Sequence, residues 1–334
     1  MKILVTGGTG YIGSHTVVEL IKNKHEVVIV DNLYNSKIDV LDKIEMITGT
    51  KPKFFEIDVL DKESLENVIK SNNFDACIHF AGYKAVGESV SIPLTYYRNN
   101  VSGSIVLYEL LQKYNVNNLV FSSSATVYGD NFVAPFKEEF GYGTTTNPYG
   151  TTKLMNEMII SDMCHANDNM SGVILRYFNP IGAHESGLIG EIPNGIPNNL
   201  VPYIAQVETG QRDFLRVFGN DYDTKDGTGV RDYIHVVDLA KAHVKAIEYA
   251  TVHKGVEVIN VGTGVGYTVI EVIKAYEKAC GHSINYKIVE RRPGDIATCY
   301  ADTKKAKELL DFETEYDLDK MCQDTYRFYT KLSK

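Results

Sequence analysis

A serine, a tyrosine and a lysine occupy positions where they could move protons together. Tyr149 and Lys153 are four residues apart in a helical pattern that begins at Asn147-Pro148, so they share one helix face. A free tyrosine has a pKa of about 10, and a neighbouring ammonium group favours the phenolate and lowers that pKa. Ser124 follows an apolar run, at the edge where parallel sheets bind ligands. We therefore predict acid–base chemistry at a reacting oxygen, with Ser124, Tyr149 and Lys153 as catalytic residues.

A glycine-rich segment near the first residue could bind a dinucleotide. Gly7, Gly10 and Gly13 lie between the first apolar run and the first helical pattern. There they permit a tight turn, close approach of a pyrophosphate and close helix packing. The G-x-x-G-x-x-G spacing differs from the commoner G-x-G-x-x-G, so the motif depends on its context. Asp31 supplies that context, because it ends the second apolar run, where a carboxylate can bind the adenosine ribose.

The residues around Asp31 indicate which dinucleotide would bind. An NADP site usually has a basic residue here for the 2′-phosphate, whereas this chain continues with Asn32-Leu33-Tyr34. We therefore predict NAD as the cofactor. Asp58, at the end of the third apolar run, has two interpretations that the sequence leaves open. It accepts a hydrogen bond from the adenine amino group, or it caps a loop or helix.

The elements that must position these residues alternate along the first half of the chain. Predicted strands, rich in β-branched residues, are Lys2–Thr6, Glu26–Asp31, Phe54–Val59, Ala76–Ala81, Asn118–Ser123 and Gly172–Phe178. Helical patterns between them include Ile12–Asn23, Pro93–Tyr114 and Pro148–His165. Apolar runs alternating with helices are typical of strands buried on both faces. The fold class is therefore predicted as α/β, with a Rossmann-type doubly wound parallel sheet.

The pattern changes after about residue 180, where Gly and Pro cluster between Pro180 and Pro202. Helices are expected near Asn199–Thr209, Val236–Tyr249 and Val269–Cys280, and two more should end the chain. Strands are expected near Phe214–Phe218, Val256–Val261 and Ile284–Val289. We predict an NAD-binding domain over residues 1–180 and a smaller mixed α/β substrate domain over 181–334. Some segments of the second range are expected to return to the first domain.

Composition argues against several classes of protein. The 334 residues are 44% hydrophobic and 23% charged, as in an ordinary globular protein. A net charge of −9 without a basic stripe argues against nucleic-acid binding. No apolar stretch is long enough to span a membrane, and Met1–Val5 is too short for a signal peptide, so we expect a cytoplasmic protein. Five scattered cysteines fit reduced thiols, and neither a disulfide framework nor a metal site is predicted.

Several longer segments carry a more specific pattern. They are Phe80–Ser89, Ser122–Gly129, Leu175–Pro180, Gly195–Leu200, Phe218–Tyr222, Asp226–His235 and Arg291–Asp295. Together with the glycine segment and the Ser/Tyr/Lys set, they resemble the extended branch of the short-chain dehydrogenase/reductase superfamily. Within that branch the chain is similar to the UDP-glucose 4-epimerase family, and the similarity covers nearly the whole chain.

The resemblance implies two sets of binding residues. The NAD site would be lined by Gly7, Gly10, Tyr11, Ile12, Gly13, Asp31, Asn32, Asp58, Val59, Phe80, Ala81, Gly82, Lys84, Asn99, Ser124, Tyr149, Lys153 and Phe178. The sugar nucleotide would be held by Lys84, Ser124, Tyr149, Asn179, Asn199, Leu200, Arg216, Val217, Phe218, Arg231, Arg292, Asp295 and Cys299. Two arginines suit a diphosphate, and polar groups near Phe218 suit uracil. The contact at Arg216 would not require its charge if the backbone made it.

The implied activity is the NAD-dependent interconversion of UDP-glucose and UDP-galactose. Tyr149 would remove the proton of the sugar 4-hydroxyl while C4 gives a hydride to NAD⁺. The 4-keto sugar would turn over in the pocket, and the hydride would return to its other face. Lys153 would tune Tyr149 and bind the nicotinamide ribose, and Ser124 would help the proton to move. The resemblance also implies a homodimer, paired through the helices around Pro93–Tyr114 and Pro148–His165.

Other activities on the same scaffold can be weighed against the sequence. Sugar-nucleotide 4,6-dehydratases carry an Asp-Glu pair just before a Val-Tyr-Gly segment, and decarboxylating relatives keep the glutamate. This chain has Ala125 and Thr126 at those positions, which argues against elimination chemistry. A non-catalytic sensor would not need an intact Ser/Tyr/Lys set. A net reductase making a deoxy sugar would consume its reduced cofactor, and turnover without added cofactor separates it from an epimerase.

Cys299 departs from one form of the family. Some members have a tyrosine at the matching position, and a small residue there accompanies a pocket roomy enough for an N-acetyl group. We therefore hypothesise that the chain also epimerises UDP-GlcNAc and UDP-GalNAc. The alternative is a small buried thiol without influence on substrate selection.

Overall fold

The apolar runs of the first half form one parallel sheet in the computed structural model, which describes residues 1–292 and 295–332. Two residues of the Arg291–Asp295 motif, Pro293 and Gly294, lie outside the described residues. In chain order, the strands are β1 (Lys2–Thr6), β2 (Glu26–Asp31), β3 (Lys53–Glu56), β4 (Ala76–His79), β5 (Asn118–Ser124), β6 (Ser171–Tyr177), β7 (Asn179–Ile181), β8 (Leu215–Phe218), β9 (Val230–His235), β10 (Gly255–Val261), β11 (Gly266–Thr268), β12 (Tyr286–Val289) and β13 (Thr298–Cys299).

The helices cover this sheet and build the second part of the molecule. In chain order, they are α1 (Tyr11–Lys22), α2 (Val40–Thr48), α3 (Lys62–Asn72), α4 (Val86–Ser91), α5 (Pro93–Tyr97), α6 (Gly103–Lys113), α7 (Pro148–Ala166), α8 (Leu200–Glu208), α9 (Val236–Val252), α10 (Val269–Cys280), α11 (Lys304–Leu310) and α12 (Leu318–Leu332). Arg98–Ser102 is a π-helical segment, and two short 3-10 turns cover Ala125–Tyr128 and Glu138–Phe140. No helix in residues 1–292 and 295–332 is both long and apolar enough to cross a lipid bilayer.

The large sheet has the strand order β10-β6-β5-β4-β1-β2-β3, and all its neighbouring strands are parallel. The chain moves outward from β1 to β3, returns to β4 and continues outward on the other side. The direction of winding therefore reverses between β1 and β4, where open α/β sheets form a ligand crevice at their carboxyl ends. The predicted doubly wound fold is confirmed.

Alternate side chains of the strands pack into two separate apolar cores. Ile3 and Val5 of β1 pack into one apolar cluster with residues of α1, α2 and α9. Leu4 packs into the other cluster with residues of α3, α6 and α7. Because neighbouring side chains of a strand point to opposite faces, one apolar run serves both cores. This arrangement explains why the strand runs are almost entirely apolar.

Part of the second half of the chain returns to the large sheet. β10 pairs with β6 as an edge strand of that sheet. Leu239, Ala242 and Ile247 of α9 belong to the same apolar cluster as Ile3 and Val5. The segment 236–261 therefore belongs in space with the first half. The division at residue 180 remains a prediction.

The remaining elements build a smaller mixed α/β part, except α11, which packs on α9 and β10 of the large sheet. β9 pairs with β7, β11 and β13, and β8 pairs with β12. A third apolar cluster joins these strands to α8, α10 and α12 through residues such as Ile204, Leu215, Tyr276 and Phe328. This part lies beyond the carboxyl ends of the large sheet, because β7 follows directly on β6.

Two features of the fold differ from the pattern expected from the sequence. The predicted helix Pro93–Tyr114 is divided into α5, a π-helical segment and α6. The sequence pattern does not predict the strands β7, β9, β11 and β13, because polar residues such as Arg231 and Asp232 interrupt β9 and the other three are very short. Their pairing comes from tertiary contacts that a local pattern does not contain.

Candidate active site

The glycine turn between β1 and α1 is packed too tightly for side chains. Gly7 has a φ of +72°, and a Cβ there would lie 2.6 Å from the nitrogen of Ala81. A Cβ at Gly13 would lie 2.2 Å from the oxygen of Gly7. Gly10 is different, because a Cβ there would meet only that same oxygen, at 3.3 Å. Two glycines thus serve packing and the third leaves the start of α1 open to a ligand.

Asp31 organises the loops beside this turn. Its two carboxylate oxygens accept hydrogen bonds from the nitrogens of Thr9, at 3.1 Å, and Leu33, at 2.9 Å. Asn32 donates to Asp58 at 2.9 Å, and the other oxygen of Asp58 accepts from the nitrogen of Leu60 at 2.8 Å. The structure therefore brings the predicted residues Asp31, Asn32 and Asp58 together. Asp58 lies beyond the end of β3, which is shorter than the predicted strand.

Phe80 and Ala81, two further predicted cofactor residues, lie at the ends of neighbouring strands. Their nitrogens both donate to the oxygen of Thr6, which joins the ends of β1 and β4. The side chain of Val59 is buried against Gly103, so only its main chain could contact a ligand. A role in cofactor binding stays a prediction for Tyr11, Ile12, Gly82, Lys84, Asn99 and Phe178.

The crevice has the features that NAD requires. Gly10 is the N-cap of α1, and no side-chain hydrogen bond caps it, so amide groups of the first turn are available to a pyrophosphate. A carboxylate stands at the end of β2, where the adenosine ribose would bind. The residues present therefore fit NAD. In the described parts of the chain, no group of three or more His, Cys, Asp or Glu side chains could hold a metal ion.

Ser124, Tyr149 and Lys153 meet at the carboxyl end of β5. Asn147 caps α7 by accepting a hydrogen bond from the nitrogen of Gly150 at 2.9 Å, which places Tyr149 in the first turn. The Ser124 hydroxyl is close enough to Tyr149 to lower the pKa of its phenol. One turn further on, Lys153 donates to the oxygen of Ser122 at 2.7 Å. All three predicted catalytic side chains are at most 9% exposed.

Burial opposes the expected effect of Lys153 on Tyr149. Burial raises the pKa of Tyr149 well above its usual range, and the neighbouring Ser124 hydroxyl opposes this rise. The Lys153 ammonium lies 5.9 Å from the centre of the Tyr149 ring and donates to a backbone oxygen. Burial therefore acts against the effect expected of Lys153, and the lowering of the Tyr149 pKa by Lys153 stays a prediction.

Lys153 itself is affected by burial and by one neighbouring carboxylate. Burial lowers its pKa to about 8, and the charge of Glu157 opposes that shift. Glu157 lies one turn beyond Lys153 on α7 and is fully buried. Arg176 of β6 donates to both oxygens of Glu157, at 2.7 to 3.1 Å. Ser123, next to Ser124, also donates to Glu157. This ion pair ties the two catalytic elements, β5 and α7, to β6.

A cluster of charged residues lies in the smaller part of the molecule. Asp295 accepts two hydrogen bonds from Arg292, at 2.8 and 3.1 Å, and lies 3.6 Å from Arg231. The Arg292 guanidinium lies 5.6 Å from the centre of the Phe218 ring. Cys299 pairs in register with Arg231, and burial raises the pKa of the Cys299 thiol to about 12. The structure therefore brings together five of the residues predicted to hold the sugar nucleotide.

The other predicted substrate residues differ in how their side chains are placed. Asn179 begins β7 and is exposed, and Asn199 is the N-cap of α8, directly before Leu200. Along β8, Arg216 and Phe218 are exposed, whereas Val217 is buried in the third apolar cluster. Val217 could therefore contact a ligand only through its main chain.

Some residues that shape the site had no predicted role. Asn100, in the π-helical segment, accepts from the nitrogen of Tyr83 at 2.7 Å and donates to Thr152 at 3.0 Å. It thereby joins the loop before Lys84 to the catalytic helix. Asp232 accepts four hydrogen bonds from residues 263, 264 and 301 and fixes the strand that carries Arg231. Glu157 is a third residue without a predicted role. Of the three, only Glu157 has a signal in the sequence, because it lies four residues after Lys153.

The glycine turn, the crevice at the winding reversal and the buried Ser/Tyr/Lys set define an extended short-chain dehydrogenase/reductase. A family model described as GDP-mannose 4,6 dehydratase matches residues 4–325. The UDP-glucose 4-epimerase of Bacillus subtilis (strain 168) is 56% identical over 328 residues, which cover 98% of this chain and 96% of that protein. The chain belongs to the UDP-glucose 4-epimerase family.

Solved structures agree with this assignment. The UDP-glucose 4-epimerase of Stenotrophomonas maltophila, solved with NAD and formylated UDP-arabinopyranose, has a TM-score of 0.97 and 47% identity. The alignment covers 100% of this chain and 99% of that one. The enzyme from Bifidobacterium longum, solved with NAD⁺ and UDP, has a TM-score of 0.95 and 53% identity, over 99% and 98% of the two chains.

Proposed function

We propose that the chain interconverts UDP-glucose and UDP-galactose by transient oxidation at C4 of the sugar, with NAD as a bound cofactor. The observation that carries this proposal is the buried pair of Ser124 and Tyr149, with Lys153 one turn away. This group lies at the carboxyl end of β5, in a sheet whose glycine turn fits NAD. The two solved relatives, one with NAD and a UDP-sugar and the other with NAD⁺ and UDP, support the same proposal.

The protein residues would perform the proton transfer and hold the substrate. Tyr149 takes the proton of the 4-hydroxyl and later returns it, assisted by the neighbouring Ser124 hydroxyl. Lys153 provides a positive charge that stabilises the phenolate once that charge has formed. Arg231 and Arg292 bind the diphosphate, so the keto sugar stays attached through its nucleotide. NAD, when bound, supplies the oxidation and reduction at C4.

The choice of NAD over NADP rests on the residues after β2. Asp31 uses its carboxylate to order Thr9 and Leu33, and the following residues Asn32-Leu33-Tyr34 bring no positive charge. A 2′-phosphate would then face a carboxylate without a cation to balance it. We therefore propose that NADP binds much more weakly than NAD.

One experiment separates the epimerase from the other candidate activities. Purified protein is mixed with UDP-galactose without added cofactor, and the sugar nucleotides are resolved by chromatography. An epimerase that retains NAD produces UDP-glucose until equilibrium is reached. A net reductase stops after one turnover, a sensor shows none, and a dehydratase produces a 4-keto-6-deoxy sugar. Any of those three results would overturn the proposal.

We also propose that Cys299 permits N-acetylated substrates. Cys299 lies beside Arg231, and it packs on the aromatic cluster that contains Phe136 and Phe178. A tyrosine at this position would need more room than the thiol it replaces. We expect wild type to interconvert UDP-GlcNAc and UDP-GalNAc, and Cys299→Tyr to lose that activity but keep the UDP-glucose reaction. A wild type that is inactive on UDP-GlcNAc would refute the hypothesis.

We propose a homodimer built on one exposed apolar surface. The dimer surface is defined by the side chains of Val90, Leu94, Ile105, Met155 and Met158, each at least 38% exposed. They lie on α4, α5, α6 and α7. Of these, α4, α5 and α7 pack against one another, and α6 continues from the π-helical segment that packs on α7. Exposed apolar side chains in such numbers mark a protein interface.

We further propose a cytoplasmic location. The described cysteines are all free, as expected of a protein that folds in a reducing compartment.

A further inference from the structure

One buried carboxylate lies between the two halves of the cleft. Glu191, in the loop between β7 and α8, is only 8% exposed, whereas the two residues that it binds are exposed. Its Oε1 atom accepts hydrogen bonds from Lys84 at 2.8 Å and from Asn199 at 3.0 Å. Lys84 follows β4 of the large sheet, and Asn199 caps α8 of the smaller part. A single oxygen therefore joins the cofactor side of the cleft to the substrate side.

The backbone of Glu191 is fixed from behind by α12. The hydroxyl of Tyr329 donates to the oxygen of Glu191 at 2.9 Å. A Cβ at the preceding Gly190 would lie 2.6 Å from the ring of Phe328, so the chain runs against α12 without a gap. A bridge between Ala183 and Gly190 closes the loop in front of Glu191. The carboxylate is therefore held at a set place before any ligand binds.

Glu191 leaves part of each donor group free. A lysine ammonium has three N–H donors and an asparagine amide has two, and Glu191 accepts one from each. The remaining donors of Lys84 and Asn199 are available to phosphate or carbonyl oxygens in the cleft. Ordering a flexible lysine costs conformational entropy, and a side chain that is ordered beforehand loses less when the ligand arrives.

We infer that Glu191 is a positioning residue for the sugar nucleotide, which it serves by fixing Lys84 and Asn199 in their binding orientations. This inference rests on the proposed function, because it takes both residues as contacts of the substrate. Glu191 does not touch the reacting atoms, so its removal weakens binding and leaves the chemical step intact. The negative charge also keeps Lys84 from making a competing contact elsewhere before the substrate arrives.

The test compares Glu191→Gln with wild type in steady-state epimerase assays and in titrations with UDP. Because the acceptor of both hydrogen bonds loses its negative charge, we expect the KM for UDP-galactose and the Kd for UDP to rise about tenfold, with kcat within about twofold of wild type. Glu185→Gln, an exposed glutamate in the same loop, is the matched control and leaves all three constants unchanged. An unchanged KM and Kd in Glu191→Gln overturns the inference.

A double-mutant cycle tests whether Glu191 acts through its partners. In an Asn199→Ala background, Glu191→Gln should raise the KM by clearly less than in wild type, because one of the two side chains that it orders is gone. Equal effects in both backgrounds overturn the inference. A lower kcat and a lower Tm with an unchanged KM would show a merely structural role, which overturns it as well.

A second variant covers the case in which the Glu191→Gln protein does not fold. Glu191→Asp keeps the charge but withdraws it by one methylene, so it cannot reach both partners, and the KM should again rise with kcat retained. If Glu191→Asp folds and shows a wild-type KM, the inference fails. If wild type itself does not epimerise UDP-galactose, the proposed function fails first, which keeps the two results distinguishable.

Discussion

At the scale of single residues, burial sets the protonation of the catalytic pair. It raises the pKa of Tyr149 and lowers that of Lys153 to about 8, so Tyr149 stays a phenol at neutral pH, whereas Lys153 stays mostly protonated. The protein alone therefore keeps Tyr149 as a phenol beside Ser124. The phenolate requires positive charge nearby, from Lys153 or from the oxidised nicotinamide ring of the proposed cofactor.

Tyr149→Phe removes the proposed proton acceptor without changing the shape of the ring. We expect kcat to fall by at least about a hundredfold, which is the usual contribution of general acid–base catalysis, while UDP binds as in wild type. The measurement is kcat for UDP-galactose together with a UDP titration. Tyr114→Phe, at the half-buried residue that ends α6, is the control and should leave kcat and UDP binding as in wild type. A Tyr149→Phe variant with near-normal kcat would exclude the role.

The acid stability of the fold should depend on His243. Its Nδ1 donates to the oxygen of Leu239 at 2.8 Å, and its Nε2 has no hydrogen-bond partner among the described residues. Burial lowers its pKa to about 4. Because the folded pKa lies below the unfolded value of about 6.5, the neutral histidine stabilises the fold above that pH and loses this effect as the pH falls toward 4.

Between pH 7 and pH 5, His243 should lower the free energy of unfolding by about 2 kcal/mol. In His243→Leu this part of the loss is absent, although the variant is less stable at pH 7 because of altered packing. Urea unfolding of both proteins at the two pH values measures the difference. If both lose the same free energy between pH 7 and pH 5, His243 is protonated at little cost and the expectation is wrong.

The residues that sequence could predict are those with a local signature. Tyr149 and Lys153 are one turn apart, Ser124 ends an apolar run, and the glycines stand together, so a short window contains each signal. Glu191 meets Lys84 across more than a hundred positions of the chain, and nothing near either residue indicates the contact. The effect of burial on the pKa of Tyr149 cannot be predicted from the sequence for a related reason, because burial is a property of the folded molecule.

At the scale of elements, the buried ion pair holds the catalytic helix α7 against the sheet. Glu157 and Arg176 are at most 1% exposed, and Arg176 also donates to the oxygen of Gly141 at 2.9 Å. It stacks on Tyr128 and Tyr142, in the segment between β5 and α7. The pair therefore fixes the helix, the strand and the connection between them.

Removing one member of this ion pair should lower the free energy of unfolding far more than replacing both members. Glu157→Gln leaves a buried guanidinium without its counter-charge, and we expect a loss of about 3 to 5 kcal/mol in the free energy of unfolding. Adding Arg176→Met should recover part of that loss, because the unpaired charge is removed. Urea unfolding of the single and double variants measures both effects.

The exposed pair of Lys62 and Glu109 provides the control for that cycle. Both side chains are more than half exposed, so Glu109→Gln should change stability by less than about 1 kcal/mol. A Glu157→Gln variant that behaves like this control would mean that the buried pair contributes little.

Helix geometry explains why the elements around Pro93–Tyr114 were only partly predicted. The apolar spacing there is compatible with one continuous helix, and the structure inserts a π-helical segment at Arg98–Ser102. The wider turn buries Asn99 and Asn100 side by side, and Asn99 donates to Asn100 at 2.9 Å. Such insertions are common at functional sites, and here their cause is polar and long-range.

At the scale of the whole molecule, the dimer surface should hold two copies of the chain together. Replacing Ile105 and Met158 together by lysine would put two ammonium groups into the proposed interface, and we expect the protein to become a monomer. Light scattering after size-exclusion chromatography measures the mass. Met46→Lys, at an exposed residue of α2, is the control and should leave the mass unchanged. A monomeric wild type would refute the homodimer.

We propose that the cofactor half consists of residues 1–180 together with the returning segment 236–261 and helix α11. The first range alone would lack β10, which pairs with β6, and α9, which packs on α1. The fold class could be predicted from the sequence because alternating runs are local. The return of the second half could only be expected in general terms, since neither β10 nor α9 differs in pattern from its neighbours.

The path of the chain between the halves has a consequence for how such enzymes can be altered. Because the chain enters the smaller part after β6, returns for α9 and β10, and leaves again, no single cut separates a cofactor module from a substrate module. A piece ending at residue 180 would leave the edge of β6 and the apolar face of α1 uncovered and ready to aggregate. A new substrate half therefore cannot be grafted on at one junction, and changes of specificity must be made residue by residue within the intact chain.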